Sequence, residues 1–283
     1  MQLNVVCKVP EKSGYSKKME GVCSAVAETI GGIYIWSESQ KPAWDMFYEY
    51  SPSILFCLSK DLTSSIYNAA KEYNCKVVCL GSGDDIPVEY RDICFICTDK
   101  PEEGLYHLKS AANLVDFVSK EAEKEYDSDI VTIIEQDSDA LYGLSDFKLK
   151  IFSIKNKINH PNYIGCVEPK EIPSILSSTK VYLDFHGDED MVCACMANKI
   201  PAISASETSF DEKIFPKFGS NKEFVEAINS LMMNVDFRNE HIENSYDFIV
   251  NNNTYFHRVN KIFSSIGYEE LAEKSLKLIK DYL

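Results

Sequence analysis

No apolar run in the chain approaches the roughly 20 residues of a membrane-spanning helix. The opening residues, MQLNVVCKVPEK, hold too short an apolar run for a secretory leader. Basic residues are in deficit: 29 Lys and Arg stand against 44 Asp and Glu, a formal charge of −15. Gripping nucleic acid by phosphate neutralisation needs clustered cations, so that partner is disfavoured unless a local basic patch exists. The G-x-x-x-x-G-K-[ST] spacing is absent, which excludes a Walker A loop. No fixed-period repeat and no low-complexity tract is present. Metal-binding pairs are missing too. Cys94-Phe-Ile-Cys97 has redox or zinc spacing, but it lies in DICFIC, a strand-like run that points the two thiols to opposite faces. No second CxxC or HxxxH follows, and Cys193-x-Cys195 is equally isolated, so no metal site is expected. Cys7, Cys57, Cys79, Cys94 and Cys97 all sit in apolar runs, where a free thiol packs as a small hydrophobe. A reducing, cytoplasmic location is the expectation.

What is present is core-forming material, 45% hydrophobic and 12% aromatic, in a chain of 283 residues. That length suits two domains of roughly 100 to 150 residues each. In the first half LNVVCKV, GIYIW, SILFCLS, KVVCLGS and DICFICT are continuous apolar strands. Between them, Ser16 to Ile30 carries apolar residues at helical spacing, and WDMFYEY and LTSSIYNAAKEYN read as further helices. Strand alternating with helix predicts a parallel sheet covered on both faces. An amphipathic segment from Leu105 ends in the charged run KEAEKEYDSD, the candidate linker. A second series follows, with DIVTIIEQ, KLKIFSI and the stretch Asn162 to Ser206. That stretch reads as strand, short helix, the strand KVYLDF, a His186-Gly187 turn, helix and strand: a βαβαβ unit of the kind that places a nucleotide at strand carboxyl ends. Helices are expected at Lys222 to Asn234, Glu240 to Asn251 and Tyr268 to Leu283. The resulting α/β architecture is two Rossmann-like parallel-sheet domains facing a cleft. Its expected parts are an acceptor-side domain over 1–124, a nucleotide-binding domain over 125–265, and a terminal helix over 266–283 packing across both.

Candidate functional residues fall at strand ends. The first loop, Pro10 to Lys18, offers Gly14, Ser16 and Lys17, a glycine turn at a helix start whose free amides and positive charge suit a phosphate. In CLGSGDD the glycines permit close backbone approach, and Asp84 or Asp85 is placed to act as a general base towards a hydroxyl. Cys166 and Val167 stand where backbone groups can meet a nucleobase edge. His186 and Gly187 close the turn after KVYLDF. In HGDEDM three carboxylates open a helix, and Glu189 or Asp190 can accept both hydroxyls of a ribose. Each of these also has a bland reading as turn former, cap or solvated acid.

The segments STKVYLDFHG and MVCACMANKIPAIS resemble the nucleotide-sugar-binding half of the GT-B glycosyltransferase superfamily (the glycosyl transferase group 1 type of C-terminal domain), with Met196 and Pro201 on matching residues. Asn253 to Arg258 is similar to the HTYxxR signature of CgeB-like members, and the likeness runs from Asp129 onward. The resemblance implies a GT-B fold and transfer of a sugar from a nucleotide-diphosphate donor to an acceptor hydroxyl. It further implies no cofactor and no fixed metal, with Lys8, Lys17, Lys150 and Arg258 as candidates to neutralise the diphosphate. Arg258 has an alternative role, pinning the terminal helix to the second domain. The acceptor is open among a glycan, a protein, a small metabolite and a hydroxymethylated base of phage DNA. The family's paired glutamates fall on His186 and Ala194, so a nucleotide-sugar-binding or scaffold protein without catalysis stays open beside the enzyme. A nucleotide-sugar epimerase is a third reading.

Overall fold

The computed structural model describes residues 3–10, 17–117, 120–206, 210, 214, 218 and 220–283. Among them the first series is β1 (Val5–Lys8), α1 (Lys17–Ile30), β2 (Tyr34–Trp36), α2 (Ala43–Tyr50), β3 (Ile54–Leu58), α3 (Ser64–Glu72), β4 (Lys76–Leu80), β5 (Cys94–Thr98) and β6 (Tyr106–His107). The second is β7 (Ser128–Ile133), β8 (Leu149–Ser153), β9 (Tyr163–Cys166), α4 (Ile172–Ser177), β10 (Thr179–Asp184), α5 (Glu189–Ala197) and β11 (Ala202–Ser204). Four helices follow: α6 (Asn221–Met233), α7 (Val235–Asn252), α8 (Tyr255–Ser265) and α9 (Glu269–Leu278). No helix among the described residues is long and apolar enough to cross a membrane.

The chain divides into two compact units, Met1–Ser110 with Tyr255–Tyr282, and Ala111–Thr254 with Leu283. The expected boundaries at 124/125 and 265/266 differ from this division. The charged run that looked like a linker is tied into unit 2: the Lys120 amide donates to Ser177 Oγ at 3.1 Å and the Glu123 amide to Ser178 Oγ at 2.8 Å. Ahead of it, the Ala112 amide donates to the Asn253 carbonyl at 2.8 Å. The C-terminal helices do not form a third piece, because α8 and α9 pack on α1 within unit 1.

Unit 1 is a six-stranded parallel sheet in the order β2-β1-β3-β4-β5-β6. Its inner strands β1, β3 and β4 are buried on both faces, as a parallel sheet with helices on either side requires, whereas the edge strand β2 exposes Ile35. Val6, Leu55 and Val77 face Phe47 of α2 and Ile66 of α3 in one core. On the other face Cys7 meets Cys23 of α1, with the two sulfurs 2.9 Å apart. Unit 2 is a five-stranded parallel sheet in the order β11-β10-β7-β8-β9. The Asn162 to Ser206 stretch forms its expected elements, but only β10 and β11 are neighbours. β9 lies at one edge, and β10 returns to pair with β7. In each sheet the order reverses once, between β1 and β3 and between β7 and β10. Loops leaving the two strands at such a point diverge and open a crevice.

The terminal helix is buried largely through small residues. Ala272, Ser275 and Ile279 are buried, whereas Leu276 is 38% exposed. Small residues there let α9 sit close to α8. A second close approach joins α8 to α1: a Cβ added at Gly21 would overlap the Tyr255 ring. Gly21→Ala should therefore destabilise the protein by roughly 1–3 kcal/mol, the usual cost of overpacking. In a Tyr255→Ala background the same change should cost much less, which denaturant titration of the double-mutant cycle measures.

Candidate functional site

In unit 2 the switch point is organised by a residue not singled out from sequence. Asp184 ends β10 and is 2% exposed. Its carboxylate accepts the amides of His186 at 3.1 Å, Gly187 at 3.0 Å and Asp188 at 3.2 Å. Ser204 Oγ of β11 donates to it at 2.6 Å. A buried carboxylate needs such donors, and charge-assisted bonds of this kind hold a loop firmly. Gly187 is glycine because the loop turns at a φ of 72°. The three amides that curl around Asp184 are thereby used internally, so they do not cradle a ligand's phosphate.

A second unforeseen residue ties three strand ends together. Glu135 follows β7, and its carboxylate accepts the Ile154 amide at 2.9 Å, the Lys155 amide at 3.3 Å and Asn156 Nδ2 at 2.9 Å. Its own amide donates to His186 Nε2 at 3.2 Å. An acceptor at Nε2 places the proton of the neutral ring on Nδ1, which makes the exposed His186 a donor towards a ligand oxygen.

The remaining expected residues of unit 2 divide. Asp188 caps α5 through the Met191 amide at 3.3 Å. Asp190 accepts the Ala111 amide at 3.0 Å, and Glu189 lies half-buried at the helix start. The Val167 amide donates to the Ser153 carbonyl at 2.9 Å, so it continues the strand pairing and is not offered to a base edge. Cys166 is exposed, with Ser153 Oγ and Tyr163 Oη each 3.4 Å from its sulfur. Those hydroxyls hold the thiol below its usual pKa, Ser153 contributing most. Ala194, where the family register has a glutamate, is buried in α5.

In unit 1, Gly14 and Ser16 lie outside the described residues, and Lys17 opens α1. Asp84 and Asp85 belong to a 3-10 turn capped by Ser82 Oγ, which accepts the Asp84 amide at 3.2 Å. Both acids are exposed, and of the two Asp85 lines a cavity of about 340 Å³ at the carboxyl ends of β3 and β4. Arg258 is buried, with Nε on the Lys109 carbonyl and Nη2 on the Ser110 carbonyl, both at 3.1 Å. It anchors α8 to the segment before the chain crosses into unit 2. Lys8 is also buried, 3.7 Å from Glu38 and over the Trp36 ring. Lys150 donates to the Glu125 carbonyl. Among the described residues no group of three or more His, Cys, Asp or Glu is placed to hold a metal ion.

Two outcomes follow from this geometry. Asp184→Ala strands three amides and should cost roughly 3–5 kcal/mol in chemical denaturation, well above an ordinary surface change. Cys166 should be the first thiol alkylated by iodoacetamide, with a midpoint of the pH–rate curve below that of a free cysteine. Ser153→Ala should move that midpoint up, as peptide mapping across pH will read.

No protein-family model matches the chain, and no curated protein matches it. Solved structures do. The Anabaena Alr3699/HepE complex with UDP-glucose is similar at a TM-score of 0.60 and 7% identity, over 93% of this chain and 99% of that one. A glycosyltransferase from Rickettsia africae is similar at 0.64 and 11% identity, over 95% and 98% of the two chains. The S. aureus MnaA–UDP structure is similar at 0.54 and 9% identity, over 94% and 99%. Identities this low speak to fold alone. On that ground, with two parallel sheets each reversing its strand order once, the chain has the GT-B fold.

Proposed function

We propose that this protein is a glycosyltransferase that moves a sugar from a nucleotide-diphosphate donor to an acceptor hydroxyl, with the donor held by unit 2. The observation that carries the reading is the switch point between β7 and β10, in a fold shared along nearly its whole length with a structure that holds UDP-glucose. Open α/β sheets bind ligands at the carboxyl ends of the strands beside such a reversal. There we assign His186 Nδ1 to a donor oxygen, with Asp184 and Glu135 as the residues that position the ring. Asp190 is engaged with the Ala111 amide, so the ribose hydroxyls fall to Glu189. Cys166 is assigned to the nucleobase side of the same crevice.

Transfer breaks the bond from the anomeric carbon to the phosphate oxygen and forms one to the acceptor oxygen, whose proton goes to a carboxylate. Asp85 is our candidate for that base. The leaving diphosphate needs donors preorganised against its charge. Because the amides of 186–188 are spent on Asp184, we assign this within unit 2 to His186, without a metal. A reading as a binding protein without turnover is favoured by one feature, the buried Ala194 at the register position of a family glutamate.

A panel of nucleotide sugars tests the proposal. A true donor at about 100 times its Kd should stabilise the fold by roughly 2.7 kcal/mol, a shift of a few degrees in Tm. His186→Ala should lose at least half of that shift, and the donor should slow alkylation of Cys166. Mass spectrometry should then find nucleoside diphosphate released and a sugar added to an acceptor. Stabilisation without release supports the binding protein; no stabilisation by any nucleotide sugar contradicts both.

A further inference from the structure

Unit 1 carries a cavity that the donor reading does not use. Its lining includes Lys18 of α1, Ser59 after β3, Gly81 after β4, Asp85 and Asp99. At about 340 Å³ it lies at the small end of ligand pockets, on the scale of a single sugar ring. Ser59 is 1% exposed, and among the described residues its Oγ has no hydrogen-bond partner. Buried hydroxyls are almost always satisfied, so an orphan lining a cavity marks the place where a ligand atom is missing. Gly81 turns beside it at a φ of 134°, and a Cβ there would come within 3.4 Å of Ser59 Oγ. With no side chain at Gly81, nothing from that position stands against the hydroxyl on its cavity side.

Charge and surface narrow the ligand. Lys18 Nζ donates to the Leu108 carbonyl at 2.9 Å and lies 3.5 Å from Asp99, so its charge is already balanced. Lys60 and Asp85 cancel formally, leaving no cationic excess among the described lining residues for a phosphate or carboxylate. Carboxylates accept paired hydroxyls, and Leu58, Leu80 and Leu108 supply apolar surface for C–H faces. We infer that this cavity binds a neutral, hydroxyl-rich ring, a single pyranose unit, with Ser59 Oγ as its buried contact. Combined with the glycosyl-transfer reading, on which this clause alone rests, the pocket makes the acceptor a sugar rather than a nucleobase.

The test needs no nucleotide sugar, so it stands or falls apart from the donor reading. Backbone amide NMR of the whole chain is titrated with methyl glycosides of common hexoses, with myo-inositol, and with inorganic phosphate, each up to about 50 mM, far above a millimolar Kd. At least one glycoside should give saturable shifts at 58–60, 80–82 and 99, with none from phosphate. Ser59→Ala should weaken that binding at least about fivefold, the loss of one hydrogen bond, while Tm holds or rises because an unsatisfied hydroxyl is removed. Three results would overturn the assignment: no saturable shift from any glycoside, saturation by phosphate alone, or a Ser59→Ala protein with lower Tm and unchanged affinity.

Discussion

Unit 2 depends on one buried carboxylate. Asp184 sits where β10 ends beside β7, and without it three successive amides and a serine hydroxyl would lose their acceptor. Its charge is tolerated because the loop wraps it with donors, and the loop keeps its shape because the charge is there. The shape fixes where the His186 ring stands, and the Glu135 amide fixes which ring nitrogen carries the proton. Glu135 in turn holds the loop after β8. A chain of backbone-directed carboxylates thus sets the geometry of the crevice, leaving side chains to meet the ligand.

The two sheets solve the same problem with different strand orders, 2-1-3-4-5-6 within unit 1 and 3-2-1-4-5 counted within unit 2. Each order has one reversal, and each unit carries polar groups at the strand ends near it. In unit 2 those groups are mutually satisfied before any ligand arrives. In unit 1 Ser59 Oγ and, in the same turn after β3, Asp61 Oδ2 are left unsatisfied. Preorganisation of the first kind favours a charged donor whose position must be reproducible. A single orphan hydroxyl suits recognition of a neutral ring by a few hydrogen bonds.

Apolar runs made the strands legible, and helical spacing marked α1, α3, α6 and α9. Pairing order was not legible, because β9 and β10 follow each other in sequence yet have β8 and β7 between them. Periodicity reports which residues are buried and is silent on which strand lies alongside. The roles of Asp184, near the end of a buried strand, and of Glu135 carry no sequence signal, since their partners are backbone amides that no residue pattern displays. The division into units falls ahead of the expected boundary for a related reason: KEAEKEYDSD has the charge of a solvated linker, while its amides bind the serines at the end of α4. For α8 a signal existed. Tyr255, Phe256, Val259, Ile262 and Phe263 are all buried at helical spacing, in the segment that opens on the HTYxxR-like residues.

The central claim is that a nucleotide sugar settles at the carboxyl ends of β7 and β10. Hydrogen–deuterium exchange with and without a stabilising nucleotide sugar addresses it directly. The account predicts slowed exchange confined mainly to 133–136 and 184–190, with β2 and its neighbours in unit 1 unchanged. Protection spread over unit 1 while 184–190 exchanges as before would contradict it.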